Sequence, residues 1–239
     1  MKNVLVTGGA GGLGLEIVRQ HLEFGDRVWA LDIGMRDGLA ALMSENNSVK
    51  FIECDISRTC NVQASLKDLA STIGKLDYLY ACAGIYRFSE RNVRLPEVIL
   101  DDAASMFDIN AVGFLRVCQV LLSTIKDNSV IMCITSEAGS IGENTRYMEY
   151  NYCMSKAAEN MACVILQKHF DNDGINARVV CIHPGWLRTE MGGPDAFANP
   201  EHSVAPKDSA KGIIGIARDI DAIPKERMFM DYKRMDINW

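Results

Sequence analysis

Tyr152 and Lys156 stand four residues apart in the segment YCMSK, one turn of a helix, so their side chains share a face. A free phenol loses its proton only near pH 10, about three units too high for an acid or base at neutrality. An ammonium group beside it stabilises the phenolate and lowers that value. Such a pair suits proton exchange with the oxygen of an alcohol or carbonyl. Ser136 closes the apolar run SVIMCITS, and its hydroxyl can hold and polarise the same oxygen. Asn110 interrupts a helical pattern in FDINAVG, where a carboxamide can hold a backbone shift or a water linking Lys156 to solvent. Each residue also has a plain use: a chance pair on an amphipathic helix, a strand-end serine, a helix kink or cap.

A second constellation lies at the start of the chain. Gly8, Gly12 and Gly14 in TGGAGGLG fit Thr-Gly-x-x-x-Gly-x-Gly between an apolar run and a helical pattern. Glycines there let a turn bring backbone N–H groups, that of Leu13 among them, up to a pyrophosphate at a helix N-terminus. Asp32 ends the second apolar run, followed by Ile33. A carboxylate at that place accepts both hydroxyls of an adenosine ribose and repels a 2′-phosphate, so NAD(H) is the expected cofactor rather than NADP. Arg36 is close in sequence but would have to overcome Asp32. Asp55 either bonds the adenine amino group, with Ile56 beside the ring, or caps the next helix. Leu15 and Glu16 follow Gly14 where a P-loop demands Lys and Ser or Thr, which argues against phosphoryl transfer.

The elements that position these residues follow from the apolar runs. Strands are expected over 3–6, 27–32, 49–55, 76–81, 129–136, 175–183 and 227–231. Helices are expected over 15–24, 67–74, 102–124 with a break near Asn110, 152–170 and 207–218. The strands are continuously apolar, as in a parallel sheet covered on both faces. Alternation with helices predicts a doubly wound α/β fold of the Rossmann type, mostly seven parallel strands, in one domain over 1–239. Segments 84–96, 137–151 and 184–206 are left as loops at the expected substrate rim.

Composition narrows the partners. The 239 residues are 48% hydrophobic with a net charge of −6, and no basic block is present to draw nucleic acid or an anionic membrane. The eight cysteines lack zinc-knuckle spacing, and the four histidines (His21, His169, His183 and His202) are dispersed, so no metal is expected. Apolar surroundings for most of the cysteines suit a reducing compartment. The N-terminus turns glycine-rich too early for a signal peptide, and no long uncharged apolar run follows, so a cytoplasmic location is expected.

Taken together, TGGAGGLG, Asp32, ECDI (53–56), CAG (82–84), Asn110, ITSEAG (134–139), YCMSK and HPGWLRT (183–189) resemble the short-chain dehydrogenase/reductase family, in order and spacing, over nearly the whole chain. The segments PGWLRTEMGGPDA and MFMDYKRMDINW resemble a branch related to bacterial C-factor-like proteins. The resemblance implies Ser136, Tyr152 and Lys156 as a catalytic triad, completed by Asn110. It implies Ala83 and Gly84 against the adenosine ribose, and Pro184, Gly185, Leu187 and Thr189 on the nicotinamide side. It also implies a homodimer or homotetramer built through the two long helices. Two departures stand out. Cys82 replaces a family asparagine, and sixteen residues separate Ser136 from Tyr152, more than the family's usual interval. Ser140 and Tyr150 are the rivals for these roles. The expected activity is interconversion of a secondary alcohol and a ketone. The lid residues Trp186, Leu187, Met191 and Phe197, with Tyr147 and Met148, suggest a bulky or cyclic, steroid-like substrate. The alternative is an NAD-binding regulatory or signalling protein with little turnover.

Overall fold

In the computed structural model, which describes residues 1–239, seven parallel strands form one sheet in the order β3-β2-β1-β4-β5-β6-β7. They are β1 (Asn3–Thr7), β2 (Arg27–Asp32), β3 (Val49–Glu53), β4 (Tyr78–Ala81), β5 (Val130–Ile134), β6 (Arg178–His183) and β7 (Phe229–Asp231). The helices are α1 (Gly12–Glu23), α2 (Asp37–Glu45), α3 (Thr59–Thr72), α4 (Asp102–Phe107), α5 (Phe114–Leu121), α6 (Tyr150–Asn172), α7 (Gly193–Ala198) and α8 (Pro206–Arg218).

Each strand sends alternate side chains into two apolar cores. Val4, Val6, Val130, Met132, Val180 and Ile182 meet α1, α2 and α8 on one face. Leu5, Ile131, Cys133, Val179 and Cys181 meet α3, α5 and α6 on the other. Both sides of the strands are therefore dry, which is why their sequences read as unbroken apolar runs. The strand order reverses between β1 and β4, whose ends Thr7 and Ala81 are paired in register. At such a switch point the loops diverge and leave a crevice beyond the carboxyl ends of the strands.

Several boundaries differ from the sequence-based expectation. Helix α2 was not anticipated; its nine residues bury only Leu39 and Leu42, too few for a clear periodicity. Helix α3 begins eight residues before 67, because TCNVQAS buries a single residue, Val62, in its polar first turns. The break near Asn110 is a π-helical turn, Asp108–Gly113, between α4 and α5. Helix α6 begins at Tyr150, not at 152, so Tyr150 belongs to the helix. The span 184–206 is not wholly loop, since it contains α7. The run Asp102–Thr124 is long and apolar enough to cross a membrane by composition, but nearly half of its most apolar window is buried in the fold, as for a core helix.

Candidate active site

The glycine turn is built as a cradle. Gly8 and Gly12 adopt positive φ, +66° and +51°. A Cβ on Gly14 would lie 2.2 Å from the Gly8 carbonyl oxygen, and one on Gly8 would lie 2.9 Å from the Ala83 nitrogen. Side chains are thus excluded where β1, the start of α1 and the end of β4 converge. No side chain caps α1, so its first N–H groups are left for a ligand. Leu13 contributes only backbone, its side chain being buried in the core. Thr189 stands over this helix end, its methyl 3.4 Å from the place of a Gly12 Cβ. The turn therefore fits a pyrophosphate.

Asp32 accepts the backbone N–H of Ala10 at 3.0 Å and that of Ile33 at 2.8 Å, which fixes its carboxylate at the rim of the turn. Ile33 beside it is exposed. Arg36 lies against Gly11 and pairs with Glu190 at 3.1 Å, spanning from the β2 side to the lid. Asp55 accepts from the Ser57 backbone and hydroxyl at 2.9 and 2.7 Å and pairs with Arg58 at 3.4 Å, the work of a turn-capping acid. Ile56 follows it with its side chain nearly buried against Gly113. Ala83 donates its N–H to Thr7 Oγ1 at 3.1 Å, and Cys82 donates to the Thr7 carbonyl at 3.2 Å. Backbone bonds to Thr7 thus anchor the segment where the family asparagine is replaced. Burial pushes the Cys82 thiol well up, so it stays neutral.

At the other end of the crevice the predicted chemical residues converge. Ser136 lies two residues past β5 in extended backbone and accepts the Ala138 N–H at 3.1 Å. Its hydroxyl donates to Glu137 Oε2 at 2.7 Å and lies near enough to the Tyr152 phenol to lower its pKa. Burial pushes the Tyr152 phenol above its ordinary value; Lys156 and the Ser136 hydroxyl pull it down, and Glu137 and Glu159 push it up. The Lys156 ammonium is 5.9 Å from the centre of the Tyr152 ring. It donates to the Ile134 carbonyl at 3.0 Å and to Glu159 Oε2 at 2.7 Å. Burial alone would lower Lys156, but Glu159 and Tyr152 hold it above the ordinary lysine range.

Asn110 is fully buried and grips one residue of the loop after β4. Its Oδ1 accepts the Ile85 N–H at 2.7 Å, while its Nδ2 donates to the Ile85 carbonyl at 3.0 Å and to Ser155 Oγ at 3.0 Å. The π-helical turn carries this side chain to the loop. Gly84 lies between: a Cβ there would be 3.2 Å from Asn110 Oδ1 and 3.6 Å from Lys156 Nζ.

The rivals are accounted for. Ser140 donates to the Asn238 carbonyl at 2.6 Å and accepts the Glu143 N–H at 2.9 Å, so its hydroxyl secures the rim segment to the chain's end. Tyr150 sits at the first turn of α6, six residues from Lys156 and off its face.

Three acids escaped the sequence analysis. Glu137 accepts the Ser136 hydroxyl at 2.7 Å, lies 3.0 Å from His183 Nδ1 and pairs with Arg146, which also pairs with Glu149. Burial opposes the charge of Glu137, but His183, Arg146 and Ser136 outweigh it and hold the carboxyl far below its usual range. Glu90, buried in the loop after β4, accepts the Tyr152 N–H at 3.3 Å and caps α6 from outside. Glu159 is 1% exposed, an acid on a dry helix face, its carboxyl pushed up by burial against the opposing pull of Lys156 and the Cys133 thiol. Its signal was available, since Tyr152, Lys156 and Glu159 fall at i, i+4 and i+7.

The rim has two characters. Phe88, Tyr86 and Tyr152 form an edge-to-face aromatic row, with ring centres 5.4 and 5.2 Å apart. Arg91 joins this loop to the lid through Asp195 at 3.1 Å and lies over the Trp186 ring. Glu137, His183, Arg146 and Glu149 form a polar cluster joined to this row, since the Tyr86 hydroxyl donates to Glu149 Oε1 at 2.6 Å. Of the other lid residues, Gly185 has φ +82° and packs against Val204 and Tyr232, and Pro184 accepts the Ser209 hydroxyl at 2.7 Å. Leu187 packs on the core, while Met191, Phe197 and Tyr147 are exposed.

A glycine cradle at the switch point and a Ser–Tyr–Lys group at the far side of the same crevice now stand on one sheet edge. The family model described as short chain dehydrogenase matches residues 2–197. The chain belongs to the short-chain dehydrogenase/reductase family. C-signal of Myxococcus xanthus is 35% identical over 170 residues, 70% of this chain and 94% of that protein. A 1-hydroxy-2-glutathionyl-2-methyl-3-butene dehydrogenase of Rhodococcus sp. is 27% identical over 227 residues, 95% of this chain and 93% of its own. The structure of a carbonyl reductase of Pseudomonas aeruginosa PAO1 in complex with NADP matches with a TM-score of 0.81 at 25% identity, each chain covered in full. This short-chain dehydrogenase thus shares a fold of nicotinamide-nucleotide oxidoreductases, and dehydrogenases and reductases of alcohols and carbonyls are among its relatives.

Proposed function

We propose that this protein is an NAD-dependent oxidoreductase, one nucleotide-binding unit over 1–239, that interconverts a secondary alcohol and a ketone. The observation that carries the reading is the convergence of Ser136, Tyr152 and Lys156 at the end of a crevice whose other end is the glycine cradle. A nicotinamide dinucleotide, when bound, gives or takes the hydride. The protein's residues handle the proton and the field. In reduction, the Tyr152 hydroxyl gives its proton to the carbonyl oxygen as negative charge develops there. In oxidation, the phenolate takes the proton of the alcohol. The Ser136 hydroxyl turns from Glu137 to that oxygen and holds it. Lys156 stabilises the phenolate form and, beside Gly84, is placed to bond a ribose hydroxyl. Asn110 fixes the loop carrying Gly84.

The choice of NAD rests on Asp32. Two N–H bonds hold its carboxylate at the rim, where ribose hydroxyls find an acceptor and a 2′-phosphate finds like charge. Arg36, against Gly11 of the glycine turn, is paired with Glu190. The NADP in the Pseudomonas structure belongs to that protein. The row Phe88, Tyr86 and Tyr152 favours a substrate with an apolar, ring-bearing part, and the polar cluster joined to it through Glu149 favours a second, hydrogen-bonding group. Exposed Val112, Leu115, Met154, Met161 and Ile165 on α5, α6 and the turn before α5 support assembly into a homodimer or homotetramer through those helices. Eight free cysteines favour a reducing, cytoplasmic setting. A second reading, a nucleotide-binding signalling protein with little turnover, is favoured by the similarity to C-signal. A screen of secondary alcohols and ketones with NAD(H) and NADP(H) separates the two. Turnover with NAD(H) supports the enzyme; tight NADH binding with no turnover across the panel supports the signalling reading.

A further inference from the structure

Glu159 is the charge that the proposed chemistry does not use. It sits one turn beyond Lys156 on the buried face of α6, where Cys163, Leu166 and Phe170 also lie. An isolated carboxylate in such a place costs several kcal/mol, so a buried acid needs partners at both oxygens. Glu159 has them: Oε2 receives the Lys156 ammonium at 2.7 Å and Oε1 receives the Cys133 thiol at 3.1 Å. Cys133, Cys163 and Cys181 near it are fully buried, and burial keeps their thiols neutral. Two of the three ammonium hydrogens of Lys156 are thereby committed, to Ile134 and Glu159.

We infer that Glu159 is a positioning residue of the Ser136–Tyr152–Lys156 site, whose carboxylate holds the Lys156 ammonium and shares its charge, so that the Tyr152 phenol keeps its proton to a higher pH. The inference rests on the proposed role of Tyr152 as proton carrier. Beside a lone cation, loss of the phenol proton creates an ion pair. Beside the Lys156–Glu159 pair, it places a second negative charge around one positive charge. The titratable groups around this pair are Tyr152 and Cys163 on α6, Cys133 on β5, Cys181 on β6 and Cys82 after β4, while Glu137 after β5 acts on the phenol. The thiols are neutral, pushed up by burial, so the carboxylates decide the field. Glu137 pushes the phenol in the same direction but is balanced by Arg146 and His183. A phenol kept protonated through neutral pH suits delivery of a proton to a carbonyl oxygen, and hence the reductive direction.

The test is a titration of the phenolate ultraviolet absorbance of the intact protein, with the Tyr152→Phe counterpart of each variant subtracted to isolate that phenol. Glu159→Gln should move the Tyr152 midpoint down by about one pH unit, the size expected on removing a charge at this range. The acid limb of alcohol oxidation should move with it. Glu159→Asp keeps the charge but withdraws it, and should give a smaller shift in the same direction. A folded Glu159→Gln protein with an unmoved midpoint overturns the inference. So does an equal shift in both variants, which would mark disruption rather than charge. If Glu159→Gln does not fold, Glu159→Asp decides: a lowered midpoint supports the inference and an unmoved one overturns it. The titration needs no substrate. A wild-type protein without turnover therefore removes the oxidoreductase reading and leaves the electrostatic one to its own result.

Discussion

Replacing Asn110 by alanine should weaken the whole site from a position that touches no substrate. The amide fills both hydrogen-bonding needs of Ile85, at 2.7 Å for its N–H and 3.0 Å for its carbonyl, and bonds Ser155 Oγ at 3.0 Å. Ser155 keeps its own bond to the Tyr152 carbonyl at 2.8 Å, so its loss is the smallest. Leaving a buried donor or acceptor without a partner costs about 1–3 kcal/mol. Ile85 is half-buried, and water can repay part of this, so the two lost bonds should sum to about 2–4 kcal/mol. That is a large share of the roughly 5–15 kcal/mol typical of a folded protein, but it should leave the chain folded. Urea denaturation reads it as a lower midpoint with an unchanged slope. Turnover should fall as well, because Gly84, beside the Lys156 ammonium, loses its fixed neighbour. Asn110→Asp should not restore stability: it keeps an acceptor for the Ile85 N–H but sets a carboxylate oxygen against the Ile85 carbonyl. A loss of stability below about 1 kcal/mol in Asn110→Ala, with turnover intact, would refute the clamp.

Tyr152→Phe should lower turnover by a factor of about 10²–10⁴, the usual share of a positioned acid or base, with dinucleotide binding by fluorescence nearly unchanged; substantial residual turnover removes its assigned role. Asp32→Ala should raise the Michaelis constant for NAD far more than that for NADP, and equal effects on both would remove the basis for the cofactor preference. His21 is fully buried between Asp26 and Tyr80, each at 2.9 Å. Burial lowers its pKa from 6.5, although Asp26 opposes this, so below that value the unfolded chain takes up the proton more readily. Its contribution should be complete above about pH 6.5 and be lost as the pH falls further, seen as a falling urea midpoint; a midpoint that rises on acidification contradicts it.

The strand run, the glycine turn and the Ser136, Tyr152 and Lys156 group were legible because each is written in local sequence. A strand buried on both faces must be apolar throughout, a turn that admits no Cβ must be glycine, and two side chains on one helix turn must be neighbours. Glu137 and Glu90 were not legible in the same way. Their meaning comes from His183, Arg146 and the start of α6, which folding brings from 46, 9 and 62 residues away. The packing of Ile56 was hidden for a related reason: it depends on Gly113, a gap in a distant helix. Helix α2 was missed because its two buried leucines are too few to set a period.

The π-helical turn also has a bearing on how the chain tolerates change in length. Segment α4 packs on α6, whereas α5 packs on α3, so one continuous rod serves two neighbours in different directions. The wide turn between them sets that change of phase. A π turn holds one residue more than an α turn, so deleting one residue from 108–113 would close it to an ordinary α turn and withdraw the Asn110 side chain from Ile85. A residue count in this stretch is thus as binding as the identity of any side chain it carries.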